Sequence, residues 1–166
     1  MPTEIYIIVY RSPIEGRDYY KNRHAALWVN SSDGFYTLLR LEGIHGSFEL
    51  VERPFNNPWE SDIKEHDHKV TTVAEEIASK DRIIDVLKRT EVNNDPKDTG
   101  DYDCRKWVLD ALMNLETNGY LTEAERKAAL DAMIGFVMGA KDEEGAFAFS
   151  TCYQFNSHRD TNLALD

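Results

Sequence analysis

Two side chains in this sequence have the chemistry of a nucleophile and its base: Cys104, within Asp103-Cys104-Arg105-Lys106-Trp107-Val108, and His24, at the head of His24-Ala25-Ala26-Leu27-Trp28-Val29. A cysteine attacks as its thiolate, and an imidazole within hydrogen-bond reach can take the thiol proton. Such a pair supports acyl transfer. Whether the two side chains meet depends on the elements that carry them.

Val108, Ala111, Leu112 and Leu115 recur at three- and four-residue spacing, Asp103 is a good N-cap, and Asn118-Gly119 supplies a stop, so the spacing predicts a helix opening on Cys104. At that position the first N–H groups lack intrahelical partners and the helix dipole favours negative charge, which stabilises a thiolate. The adjacent Asp103 carboxylate opposes it. The plainer reading of a free cysteine is a small buried apolar residue.

His24 opens the first of two apolar runs, 24–30 and 35–42, which flank Asn30-Ser31-Ser32-Asp33-Gly34 and read as a hairpin. Alternation places His24 on the side of Ala26 and Trp28, and a register centred on the turn sets it opposite Arg40 or Glu42. Glu42 is the preferred orienting partner for the imidazole, with Arg40 and His45 as rivals. A surface histidine at a strand end is the plainer reading.

Strand patterns also cover 5–11 and 47–53, the latter with Phe48 and Leu50 alternating with acids. Pro54, Asn56, Asn57 and Pro58 then break regular structure, and Trp59 reads as a packing anchor. Thr72-Val73-Ala74-Glu75 carries a capping signature for one short helix, and Ile83, Ile84 and Leu87 after Ser79 mark a second. Thr122-Glu123-Ala124-Glu125 caps a further helix expected to turn Leu130, Met133, Ile134, Val137 and Met138 to the core. Cys152 lies in an alternating stretch, 146–155, read as a late strand with the cysteine in the core. Strands followed by helices, joined by short turns, predict an α+β domain over 1–166: an antiparallel sheet of about five strands with helices packed on it.

The 166 residues carry a net charge of −11, which argues against a general nucleic-acid-binding surface because phosphate contacts need a basic face. Arg11, Arg17, Lys21 and Arg23 cluster before His24 and could form a small positive rim for an anionic or carboxylate-bearing substrate; Glu15 and Asp18 dilute it, and a solvated loop is the default. The opening Met1-Pro2-Thr3-Glu4 passes directly into an apolar run too short for a signal peptide or membrane span. With only two cysteines the chain fits a reducing compartment, and a cytoplasmic protein is expected.

A histidine at the start of a strand, a following hairpin and a later helix opening on cysteine resemble the circularly permuted papain-like proteins of the NlpC/P60 superfamily. These include the lecithin retinol acyltransferase-like and PPPDE-type groups. The order of the two residues carries the likeness, since His24 precedes Cys104 as in the permuted branch. The two segments are also similar to a group of small fungal proteins with His-x-x-x-aromatic and Asn/Asp/Gly-Cys-Arg/Gln-x-Trp elements. The resemblance spans roughly 5–120. It implies a permuted papain-like arrangement with Cys104 as nucleophile, His24 as base, a third polar residue on the following strand at Glu42, and no cofactor. Arg23, Arg40, Trp28 and Trp107 flank these positions as candidate contacts for a small-molecule or peptide substrate.

Three other readings stand beside this one. Activated aminoacyl groups as donors would make a peptide or cyclodipeptide synthase, and loss of catalysis would leave a papain-like interaction module. Glu65-His66-Asp67-His68 has the His-x-His spacing of a zinc site, although no third ligand lies near it in sequence and a charged loop is the plainer reading.

Overall fold

Ile5, Ile7 and Val9 alternate with Ile8 and Tyr10 along a strand that is buried on both faces, the mark of a central position in a sheet. This is β1 (Thr3–Tyr10), flanked by β2 (His24–Ser31) and β5 (Lys64–Val73), both antiparallel to it. With β3 (Phe35–Ile44) and β4 (Glu49–Arg53) the sheet has the order β4-β3-β2-β1-β5. A short β6 (Thr151–Cys152) pairs with β3 at Gly43 and Ile44. The computed structural model describes residues 1–11, 20–54, 64–95, 97, 102–140 and 151–152.

Three helices pack on one face: α1 (Lys80–Lys88), α2 (Cys104–Thr117) and α3 (Glu123–Met138). The protein is thus α+β, with a five-strand antiparallel sheet and three described helices. Each helix starts on a side-chain cap. Ser79 caps α1, Asp103 caps α2, and Thr122 with Glu125 forms a reciprocal capping box on α3. The stop after α2 is the one expected from Asn118-Gly119. Gly119 takes φ 73°, its N–H donates to the Glu116 carbonyl, and the Tyr120 N–H reaches back to the Leu115 carbonyl.

Beneath the helices, Ile5, Ile7, Val9, Ala25, Leu27, Val29, Leu39 and Leu41 from the sheet meet Ile83, Leu87, Trp107, Val108, Leu112 and Leu115. The opposite face carries Ile8, Tyr10, Ala26, Trp28 and Leu38, with Tyr6 and Tyr36 packed against them. Trp28 stacks on Tyr36 at an interplanar angle of 13° and meets Tyr6 at 58°. At the far end of β3, Gly43 has φ 111°, and a Cβ there would stand 2.3 Å from the Ser47 carbonyl oxygen, so only glycine fits this turn. Phe48 follows, its N–H and carbonyl both bound by the Asn94 side chain at 2.7 and 2.9 Å.

Several sequence expectations need correction. Thr72 and Val73 close β5, and a turn closed by the Ile77 N–H on the Ala74 carbonyl follows, so the capping signature there starts no helix. The His66 segment is a strand, because β1 needs a partner on its second edge and supplies one regardless of charge. On α3, Met133 and Val137 are buried and Leu130 packs half-buried against the core, while Ile134 and Met138 are exposed. Trp59 and most of the 146–155 stretch lie outside the described residues. Among the described residues no helix is long and apolar enough to cross a membrane.

Candidate active site

His24 is the first residue of β2 and Cys104 the first residue of α2, and α2 packs across β2. This crossing brings the His24 Nδ1 to 3.9 Å from the Cys104 Sγ. The Ala25 N–H donates to the same sulfur at 3.5 Å. Alternation assigns His24 to the face of Ala26 and Trp28, yet its ring reaches a thiol in the core of the other face. A strand's first residue lies at the sheet end, where its side chain can reach either layer.

The electrostatics around the sulfur are set by the α2 cap. Asp103 accepts from the Arg105 and Lys106 N–H groups at 2.8 and 3.2 Å, and the Arg105 side chain binds the same carboxylate through Nε at 2.7 Å and through Nη2. The guanidinium therefore offsets the negative charge that would oppose a thiolate at the helix start. Cys104 is buried, at 3 % exposure, and His24 is half-buried.

The expected orienting residue is engaged by two arginines. The β2–β3 register, extended past its last pair Leu27↔Leu39, would set His24 against Glu42, one of the two positions the hairpin reading offered. The Glu42 carboxylate is instead held by Arg40, through Nε at 2.9 Å and Nη2 at 2.5 Å, and by Arg53 at 3.0 Å. The rival Arg40 is thus bound to Glu42, and His45 lies edge-on to Phe48 in the turn after β3. The Nε2 of His24 is buried with no hydrogen-bond partner among the described residues.

The other candidate contacts are structural in their surroundings. Arg23 is buried and donates to the Phe136 carbonyl in the last turn of α3, where a cation complements the helix dipole. Trp28 and Trp107 are buried on opposite sides of the sheet and have almost no surface to offer a substrate. Of the basic rim, Arg17 lies outside the described residues. His66 stacks on Phe136 at 4.5 Å, and no group of three potential metal ligands occurs among the described residues.

Sequence reasoning missed the Ala25 N–H and the Arg53 contribution to Glu42. Neither leaves a signal in the sequence, since one is a backbone group and the other follows from β3–β4 register. Compared with family models, curated proteins and solved structures, the chain matches none.

Proposed function

We propose that the chain is a cysteine-dependent acyl-transfer enzyme of permuted papain-like arrangement, acting in the cytoplasm, with Cys104 as nucleophile and His24 as base. The observation that carries this reading is the Nδ1-to-Sγ approach of 3.9 Å at the start of α2. In the reaction, Nδ1 takes the thiol proton as the sulfur attacks a carbonyl carbon. The proton passes to the leaving group, the carbon–leaving-group bond breaks, and a thioester remains. Water or an amine then resolves the thioester, giving an amidase or peptidase in the first case and an amide-forming transferase in the second. In this reading the Cys104 N–H at the helix start supplies one oxyanion donor.

A second reading, a papain-like module without catalysis, is favoured by the burial of Cys104. Alkylation by iodoacetamide across pH separates the two, with Cys104 and Cys152 read individually by mass spectrometry. The enzyme reading expects Cys104 to react faster than Cys152 and to slow in His24→Ala. Equal rates, unchanged by that substitution, would leave the non-catalytic module.

A further inference from the structure

The ladder between β2 and β3 stops short of the thiol. Its pairs run from Ser31↔Phe35 to Leu27↔Leu39, while Ala26, Ala25 and His24 stay paired with Ile8, Val9 and Tyr10 of β1. β2 therefore leaves β3 at Leu27, and a gap between the two strands opens toward His24. A strand residue turns its N–H toward one neighbour or the other. β1 fills one edge of Ala25, so the Cys104 sulfur that takes its N–H at 3.5 Å stands on the other, at the gap.

The last residues of β3 border the same gap, and β6 pairs with them, Cys152 with Gly43 and Thr151 with Ile44. Their β4 edge is taken by the returning chain. The ladder to β4 reaches Glu42↔Glu49, the Ser47 N–H binds the Ile44 carbonyl at 2.8 Å, and a Cβ on Gly43 would meet the Ser47 carbonyl oxygen. β6 thus lies along the edge that β2 has left. By register Ala25 is level with Leu41 and Cys152 with Gly43, a separation along β3 of about 7 Å at the usual rise of a strand. Bridged cysteines have Cα atoms roughly 4–7 Å apart, a spacing that a small shift of the short β6 reaches.

We propose that Cys152 is the resolving partner of Cys104: peroxide oxidises Cys104, and the oxidised sulfur closes a Cys104–Cys152 disulfide that stops acyl transfer until a thiol reductant reopens it. The rate of the first step rests on the thiol–imidazole reading above; the bridge itself does not. Nδ1 of His24 takes the Cys104 thiol proton and the sulfur attacks hydrogen peroxide. An S–O bond forms as the O–O bond breaks, and the departing hydroxide takes the proton from the imidazole and leaves as water. The Cys152 sulfur then displaces hydroxide from the sulfenic acid of Cys104, an S–S bond forms, and the Cys152 proton leaves in a second water. The electron pair lost by the two thiols is the pair gained by the peroxide. Disulfides of cytosolic proteins are mostly of this transient kind.

The chain holds two cysteines, so counting thiols separates the outcomes. After brief exposure of the full chain to hydrogen peroxide, the proposal expects both thiols to be lost together and a Cys104–Cys152 peptide pair from one chain in the non-reducing map. Labelling of Cys104 by iodoacetamide should be lost with them, and dithiothreitol should restore it. In Cys152→Ser the same exposure carries Cys104 on to a sulfinic acid that dithiothreitol leaves in place. Loss of one thiol with no linked peptide overturns the proposal, as does a link found only between two copies of the chain. Retention of both thiols under peroxide that oxidises a cysteine peptide overturns it too, and so does recovery of Cys104 in Cys152→Ser as full as in the native chain. His24→Ala reports separately on the base: the bridge should form more slowly there, and an unchanged rate would leave the disulfide standing while the thiol–imidazole reading fails.

Discussion

On the helix-covered face of the sheet, Ala25, Leu27, Val29, Leu39 and Leu41 interlock with Trp107, Val108, Leu112 and Leu115. On the opposite face, Trp28 lies between Tyr6 and Tyr36, and Arg40, Glu42 and Arg53 form an ion cluster whose charge is felt at Tyr10. The first face depends mainly on filled volume. The second couples stability to charge. His24 stands at their boundary, assigned to the second face by alternation and to the first by its contact with Cys104.

The comparison breaks most readily at Trp107. Its side chain is fully buried beneath the sheet, and Trp107→Ala should cost about 4 kcal/mol in urea unfolding through lost burial and the cavity left behind. A loss below about 1 kcal/mol would mean that this face is not close-packed. On the other face, Glu42→Ala removes the carboxylate shared by Arg40 and Arg53, the latter 39 % exposed, and should cost about 3 kcal/mol, at the low end for a broken buried pair.

Tyr10 sharpens the contrast through pH. Burial pushes its phenol up to about 12 from an ordinary 10.0, with Arg40 opposing the shift. Because the folded state favours the neutral phenol, this contribution is complete below pH 10 and disappears as pH rises from there to about 12, a loss of about 2 kcal/mol. Tyr10→Phe should flatten the alkaline arm of a stability–pH curve. A shallower slope should remain from Tyr6 and Tyr102, whose phenols are also pushed up by burial. The smallest effect is expected at the exposed Lys69–Glu4 pair, where Lys69→Ala should change stability by less than about 0.5 kcal/mol by thermal unfolding.

Elements with local punctuation were legible from sequence. Asp103 and Asn118-Gly119 marked both ends of α2, and the turn at Asp33-Gly34 marked the hairpin. By contrast, β5 was hidden because Glu65, His66, Asp67, His68 and Lys69 show no apolar alternation; pairing with β1 makes them a strand. Thr72-Val73-Ala74-Glu75 misled for the same reason, since Val73 pairs with Thr3 before a helix can begin. Cys104 and His24 were recognisable by type and by position at element starts. Their approach depends on how α2 crosses β2, a tertiary fact that spacing does not encode. The hairpin reading set Arg40 or Glu42 opposite His24 and preferred Glu42, while the engagement of Glu42 by Arg53 comes from a neighbouring strand.

The central claim is that a buried sulfur and the imidazole beside it work as one acyl-accepting unit. Brief exposure of the native chain and of His24→Ala to p-nitrophenyl acetate, followed by peptide mapping, tests it most directly. The account predicts acetyl groups on Cys104 of the native chain and far fewer on Cys104 of the variant. Acetylation confined to lysines, or equal on Cys104 in both proteins, would contradict it.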